Sequence, residues 1–175
     1  ANEVRKGIVT AVYNAKSGHP GGSLSAVEIL EALYAYKMNV DAARPNMPER
    51  DRFVLSLCSD IGIPLPETDE PELDDVVVIN ANGRGCIIAG SNPRALLIAV
   101  YEYLRQNGCE WLYPGVDGEF IPIVEALADI NYRKMADLRI RAQCNEGAEF
   151  QPDMMAAIDF TPKIGMNVFM MEFFN

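Results

Sequence analysis

A single histidine, His19, sits in the run Ser17-Gly18-His19-Pro20-Gly21-Gly22. Glycines on both sides let backbone approach a ligand closely, and Pro20 stiffens the turn. An imidazole held there could exchange protons with hydroxyl groups near neutral pH. Trp111 offers a flat apolar ring that could stack on a sugar face, although a place in the core behind a hairpin suits it as well. Glu146, Glu149 and Glu172 are carboxylates of the type that glycosidic cleavage employs in pairs, although a solvated or structural role suits each of them better. Cys58, Cys86, Cys109 and Cys144 lie far apart, with no Cys-x-x-Cys spacing and no nearby histidine, so no metal site is expected.

These residues need elements to hold them. Residues 2–16 repeat apolar side chains at Val4, Ile8, Val12 and Ala15, which predicts an amphipathic helix. After the glycine-rich break, Ser25 and Glu28 form a capping-box pattern that opens a second helix running to about Met38. Pro45 and Pro48 mark a loop, and Phe53-Val54-Leu55-Ser56 begins a short buried strand. Pro64, Pro66 and Pro71, with six carboxylates between Glu67 and Asp75, predict an extended, solvated linker. Val76–Ile79 and Cys86–Ala89 flank Asn82-Gly83, a hairpin signal. A helix is bracketed by Asn92-Pro93 and Asn107-Gly108. Short extended segments are expected around Trp111–Tyr113 and Leu138–Ala142, a further helix from Pro152 to near Gly165, and a buried strand from Val168 to Phe174.

Composition narrows the function classes. The 175 residues carry a net charge of −10, which argues against nucleic-acid binding. Residues 1–56 hold seven Lys/Arg against six Asp/Glu, whereas residues 57–175 hold eight against nineteen. That step in charge coincides with the change in pattern after Ser56. No apolar run reaches the roughly 20 residues of a membrane span. The chain starts at Ala1 without a charged-then-apolar leader, as expected of a piece of a longer or processed chain, and unpaired thiols fit a reducing, cytoplasmic setting.

Ala15-Lys16-Ser17-Gly18-His19-Pro20-Gly21-Gly22-Ser23-Leu24-Ser25, Leu33-Tyr34 and Arg50-Asp51-Arg52-Phe53-Val54-Leu55-Ser56 closely resemble the start of transketolases, most of all the version made as a separate N-terminal subunit. The resemblance runs over residues 1–56 without a gap. It implies that His19 lies beside the reactive carbon of thiamine diphosphate and contacts the sugar, with Mg²⁺ as the second cofactor of the intact family. After Ser56 the chain departs from that pattern. Where transketolases continue with a Gly-His pair that helps hold the cofactor diphosphate, this chain reads Leu57-Cys58-Ser59-Asp60. Asp117-Gly118 is only a fragment of the family's metal-binding Gly-Asp-Gly motif. The Glu that activates the aminopyrimidine comes from a further domain, absent from this sequence. No binding of the cofactor by this chain is therefore expected.

Residues from about 76 to 175 resemble another family. Ile88-Ala89-Gly90-Ser91-Asn92-Pro93-Arg94, Val100-Tyr101-Glu102-Tyr103-Leu104, Gly108-Cys109-Glu110-Trp111-Leu112-Tyr113-Pro114-Gly115 and Gly118-Glu119-Phe120-Ile121-Pro122 look like the α/β domain before the barrel in α-glucuronidase and hexosaminidase-like glycoside hydrolases. Ile158-Asp159 to Val168 looks like the helix and first strand of that barrel.

The expected architecture is α/β (α+β): a helical segment over 1–56, an acidic linker over 57–75, a small sheet with one helix over 76–143, and the start of a truncated barrel over 144–175. A composite chain joined near Leu57 is expected, and deliberate joining, a gene fusion and an assembly error all stay open as the origin of the join. Three functions compete: a transketolase-like transferase fragment, a glycoside hydrolase fragment, and a non-catalytic carbohydrate-associated module. The expected partners are a sugar phosphate or carbohydrate, with neither nucleic acid nor membrane. Met166, Phe169, Met170, Met171, Phe173 and Phe174 would form an apolar patch open to self-association if no barrel covers them.

Overall fold

The computed structural model describes residues 2–16, 27, 34, 38–83, 85–146 and 151–172. The chain divides into two compact units, Ala1–Arg52 and Phe53–Asn175. Among the described residues the architecture is α+β, with three α-helices, several small sheets and no closed barrel. No helix among them is long and apolar enough to cross a membrane.

In the first unit, helix α1 (Asn2–Ala15) begins with Glu3, whose charge suits the helix N-terminus and which pairs with Lys6 at 2.7 Å. Lys16 stops the helix by taking a positive φ of 50°. None of α1 is buried, and Val9 and Tyr13 remain 53% and 80% exposed. The glycine-rich loop with His19 lies outside the described residues. So does the capping-box helix, apart from buried Val27 and exposed Tyr34. The proline-marked loop closes on itself. Asp51 accepts the Asn39 backbone N–H at 2.8 Å, the Asn39 side chain donates to the Glu49 carbonyl, and Arg50 donates to the Pro45 carbonyl.

A four-stranded sheet forms the centre of the second unit. Its order is β1 (Arg52–Leu57), β3 (Gly85–Gly90), β2 (Val76–Asn82), β6 (Ile130–Met135). Strands β2 and β3 are antiparallel, with Asn82 opposite Gly85, so the Asn-Gly signal marks a two-residue connection. Alternate β2 residues Val77, Ile79 and Ala81 join Ile88 and Ile130 on one face, where helix α2 (Pro93–Gln106) contributes Ala99 and Tyr103. Phe53 and Leu55 of β1 pack against the same cluster. Asn92 caps α2 by accepting the Ala95 N–H at 2.8 Å, and Pro93 occupies its first turn. Gly90 is required here: a Cβ at that position would lie 2.2 Å from the Leu96 nitrogen, so only glycine lets α2 sit this close to β3.

Two smaller sheets follow. Strands β4 (Glu110–Trp111) and β5 (Glu119–Phe120) are antiparallel across a short 3₁₀ turn, Val116–Gly118. Strands β7 (Ala142–Glu146) and β8 (Val168–Glu172) are parallel, joined through helix α3 (Gln151–Lys163).

Two local expectations need correction. The extended segment forecast at Leu138–Ala142 is a connection, and only Ala142 enters a strand. The strand lies earlier, at Ile130–Met135, where Tyr132-Arg133-Lys134-Met135 reads as polar because this edge strand buries only Ile130 fully. The final strand is not buried either, since Met170 is 47% exposed.

Candidate functional site

The most organised polar centre surrounds Asp75, at the foot of β2, with only 2% of its surface exposed. Arg94, in the first turn of α2, approaches Asp75 Oδ1 with Nη2 at 2.8 Å and Nε at 3.1 Å. Arg141, just before β7, donates from Nη2 to Oδ2 at 2.7 Å. The side-chain amides of Asn92 and Asn167 donate to the two oxygens at 3.0 and 3.4 Å. Burial alone would raise the Asp75 carboxyl pKa, but the hydrogen bonds from Arg94, Asn92 and Arg141 outweigh it and hold the group below its ordinary range.

The surrounding donors are committed elsewhere as well. Arg141 donates from Nε to the Gly165 carbonyl at 2.8 Å and from Nη1 to the Leu138 carbonyl at 2.6 Å. Asn167 accepts the Arg141 backbone N–H at 2.9 Å. Arg94 also donates to the Glu72 carbonyl. A saturated, ionised carboxylate neither takes up nor releases protons near neutral pH, so the cluster is built for positioning. It ties the start of β2, the N-terminus of α2 and the α3–β8 connection to one point.

Beside it lies an open groove of about 260 Å³, lined in part by Tyr132, Glu102, Arg105, Lys134 and Arg141. Its charges are internally paired: Arg105 with Glu102 at 2.6 Å and Lys134 with Asp137 at 2.9 Å. Desolvation raises the Tyr132 phenol. With each cation matched to a neighbouring carboxylate, the groove has no unbalanced charge for an ionic ligand.

The residues singled out in the sequence are not brought together. His19 and Glu149 lie outside the described residues. Glu146 and Glu172 end the parallel strands β7 and β8 and are opposite each other in register. Trp111 is half-buried and meets the Tyr101 ring edge-to-face, with centroids 5.2 Å apart and planes at 86°. Asp117 and Gly118 form the 3₁₀ turn, in which the Asp117 carbonyl accepts the Tyr113 hydroxyl at 2.8 Å. Among the described residues, no group of three or more His, Cys, Asp or Glu is arranged to hold a metal ion.

The thiols are placed as structural side chains. Cys58 and Cys109 are buried, and desolvation raises both. Burial lifts Cys86 to about 11, against a hydrogen bond from Tyr103 that partly offsets it. The acidic 67–75 stretch is more anchored than its composition suggests, because Asp74 pairs with Arg139 at 2.7 Å, and the chain just before it is held where the Pro64 carbonyl accepts from Arg133. Nothing in the sequence flagged Asp75. The available signal was a carboxylate directly before an apolar strand, with Asn92 and Arg94 at the following helix start.

Comparison with known proteins bears on the opening segment. Residues 1–60 match the model of the transketolase thiamine diphosphate binding domain. Over 56 residues the chain is 48% identical to a 6-deoxy-6-sulfo-D-fructose transketolase subunit of Clostridium sp. (strain MSTE9), covering 32% of this chain and 20% of that protein. Over 52 residues it is 50% identical to an apulose-4-phosphate transketolase subunit of Phocaeicola vulgatus, covering 30% and 18%. With the transketolase of Cereibacter sphaeroides the identity is 43% over 56 residues, covering 32% and 8%. The chain thus spans a fifth or less of the length of these relatives. Among solved structures, a family 89 glycoside hydrolase from Clostridium perfringens in complex with PUGNAc covers 67% of this chain and 13% of its own, at 17% identity and a TM-score of 0.46. The same enzyme type with its substrate GlcNAc-α-1,4-galactose gives 16% identity and the same TM-score. The transketolase resemblance carried by the sequence recurs in these comparisons over residues 1–60, which match the thiamine diphosphate binding domain of transketolases.

Proposed function

We propose that this chain carries the opening of a transketolase-type enzyme, whose intact form transfers two-carbon ketol units between sugar phosphates, and that these 175 residues do not perform the transfer alone. The match over residues 1–60, with its Ser-Gly-His-Pro-Gly-Gly and Arg-Asp-Arg-Phe-Val-Leu-Ser blocks, carries the reading. In it, His19 is the residue that contacts the sugar.

The residues that follow do not fit the cofactor. Leu57 ends β1, and Cys58 is fully buried with its backbone N–H on the Gly90 carbonyl at 2.9 Å. A thiol enclosed in this way offers no donor to a diphosphate. Asp117 sits in a turn whose following residue, Gly118, has no room for a side chain, since a Cβ there would meet the Tyr113 carbonyl at 2.1 Å. No catalytic step through thiamine diphosphate is assigned to this chain, because the protein must bind and orient that cofactor before its chemistry can proceed.

Isothermal titration with thiamine diphosphate and Mg²⁺ tests the reading. The expected result is no stoichiometric heat at micromolar protein, alongside no ketol transfer from a ketose phosphate to an aldose phosphate. Saturable, Mg²⁺-dependent binding at one site per chain would overturn it.

A further inference from the structure

The β4–β5 hairpin turns one face inward and leaves the other bare. Its register sets Trp111 opposite Glu119 and Glu110 opposite Phe120, and the Leu112 N–H continues the ladder to the Gly118 carbonyl at 2.9 Å. Side chains alternate across a strand pair. Trp111 therefore packs on Tyr101 of α2, while Glu119 accepts from Lys163 of α3 at 2.6 Å. Leu112 and Phe120 belong to the opposite face and are 70% and 56% exposed. Beyond the end of β5 the chain adds Ile121 and Ile123, both more than half exposed. A lone exposed leucine is ordinary, but large apolar side chains adjacent across a hairpin mark an interaction surface.

The turn that joins the two strands is held in shape. The turn is braced by the Tyr113 hydroxyl on the Asp117 carbonyl and by the close passage of Gly118 under Tyr113. A rigid platform loses little freedom when a partner binds.

The charge around it selects the partner. Residues 110–129 contain five carboxylates and no Lys, Arg or His. Lys163 neutralises Glu119, which leaves Glu110, Asp117, Glu125 and Asp129 exposed in the same stretch of chain as the apolar side chains. Two copies of this face would set eight such carboxylates together, and an anionic lipid surface or nucleic acid would be repelled. We propose that the outer side of this hairpin, with the segment that leaves it, docks a cationic amphipathic segment of a partner protein, whose large apolar side chains cover Leu112, Phe120, Ile121 and Ile123 while its Lys or Arg residues meet the carboxylates of the same stretch. This assignment goes beyond the transketolase reading and does not depend on it.

The test uses the full chain and a fluorescein-labelled amphipathic peptide made of Leu and Lys, read by anisotropy, with a Leu/Glu peptide as counterpart. The Leu/Lys peptide is expected to bind saturably. Phe120→Ser with Ile123→Ser, and separately Glu125→Lys with Asp129→Lys, are each expected to weaken binding about tenfold or more. Glu67→Lys with Glu70→Lys makes the same charge change on the distant acidic stretch and is expected to leave binding unchanged. Raising salt from about 0.05 to 0.5 M is expected to weaken it, as charge pairing at a surface requires. Equal loss in the Glu67/Glu70 variant would reduce the effect to bulk charge and overturn the proposal. Unchanged binding by the Phe120/Ile123 variant, equal binding of the Leu/Glu peptide, or self-association abolished by the Phe120/Ile123 substitutions would overturn it too. The last of these outcomes would name a second copy as the occupant. Should the apolar variant lose its circular-dichroism melting transition, the Glu125/Asp129 variant decides alone.

Discussion

Arg141 Nη2 lies 2.7 Å from Asp75 Oδ2 across 66 positions of sequence, and the same carboxylate holds Arg94 through its other oxygen. The parallel pair β7–β8 is too small to be stable by itself, so its attachment to the main sheet depends on contacts of this kind. Removing the carboxylate would leave two guanidiniums facing each other with their shared partner gone.

Asp75→Ala should therefore destabilise the second unit clearly. Loss of one member of a fully buried ion pair costs about 3–5 kcal/mol, and the partial exposure of Arg94 and Arg141 brings the expectation down to about 2–3 kcal/mol. Urea unfolding followed by the fluorescence of Trp111 reads this directly. An unchanged midpoint would mean that the cluster is only decorative.

The same group gives a pH signature. Its folded pKa is depressed below the ordinary carboxyl value of 3.8, so its stabilising contribution is complete above the unfolded value and disappears as pH falls through the folded one. The difference in unfolding free energy between the native chain and Asp75→Asn should be flat from about pH 5 to 7. It should shrink steadily once the pH drops under 3.8. A difference that grows on acidification would contradict the assigned direction.

At Gly90 the constraint is steric. A methyl group there would collide with helix backbone, which cannot swing aside as a side-chain tip can. Gly90→Ala should cost about 1–3 kcal/mol or more through displacement of α2. Differential scanning calorimetry of the full chain would register this as a lowered transition. An alanine variant melting with the native chain would show that α2 shifts freely.

Local signals made α2 legible. Asn92-Pro93 and Asn107-Gly108 bracket it in the sequence, and the helix occupies Pro93–Gln106. Cap and turn chemistry acts within a few residues, so it survives without knowledge of the fold. Strand β6 had no such signal, because an edge strand buries little and Arg133 and Lys134 can point to solvent. The Asp75 cluster was invisible for a different reason. Arg141 and Asn167 reach Asp75 and Arg94 only through the crossover of β7, α3 and β8, and no spacing rule connects them. Residues 53–56 were read with the opening segment, yet Phe53 and Leu55 pack on the core of the second unit. A strand's apolar pattern specifies that it is buried but not by which neighbours.

Thiol chemistry should sort the cysteines by environment. Cys144 is exposed, Cys58 and Cys109 are buried, and Cys86 is pushed up to about 11. The thiolate is the reacting form, so a brief pulse of iodoacetamide at neutral pH should modify Cys144 first. Peptide mass mapping would show the order. Fast labelling of Cys86 at neutral pH would be incompatible with its burial beside Tyr103.

Helix α1 should be the least protected of the described helices. It buries no residue, whereas α2 buries Ala95, Ala99 and Tyr103 against the sheet. An isolated helix of this length is marginal in water, because its few hydrogen bonds barely repay the cost of nucleation. Tertiary burial is what raises amide protection towards the global limit. Amides of Asn2–Ala15 should accordingly exchange much faster than those of Pro93–Gln106 in a native-state hydrogen-exchange experiment on the full chain. Tyr13, at 80% exposure, gives a second probe through rapid chemical nitration. Equal protection of the two helices would show that α1 is held by a cooperative interface. The join between the transketolase-like opening and the rest of the chain would then be part of one evolved fold.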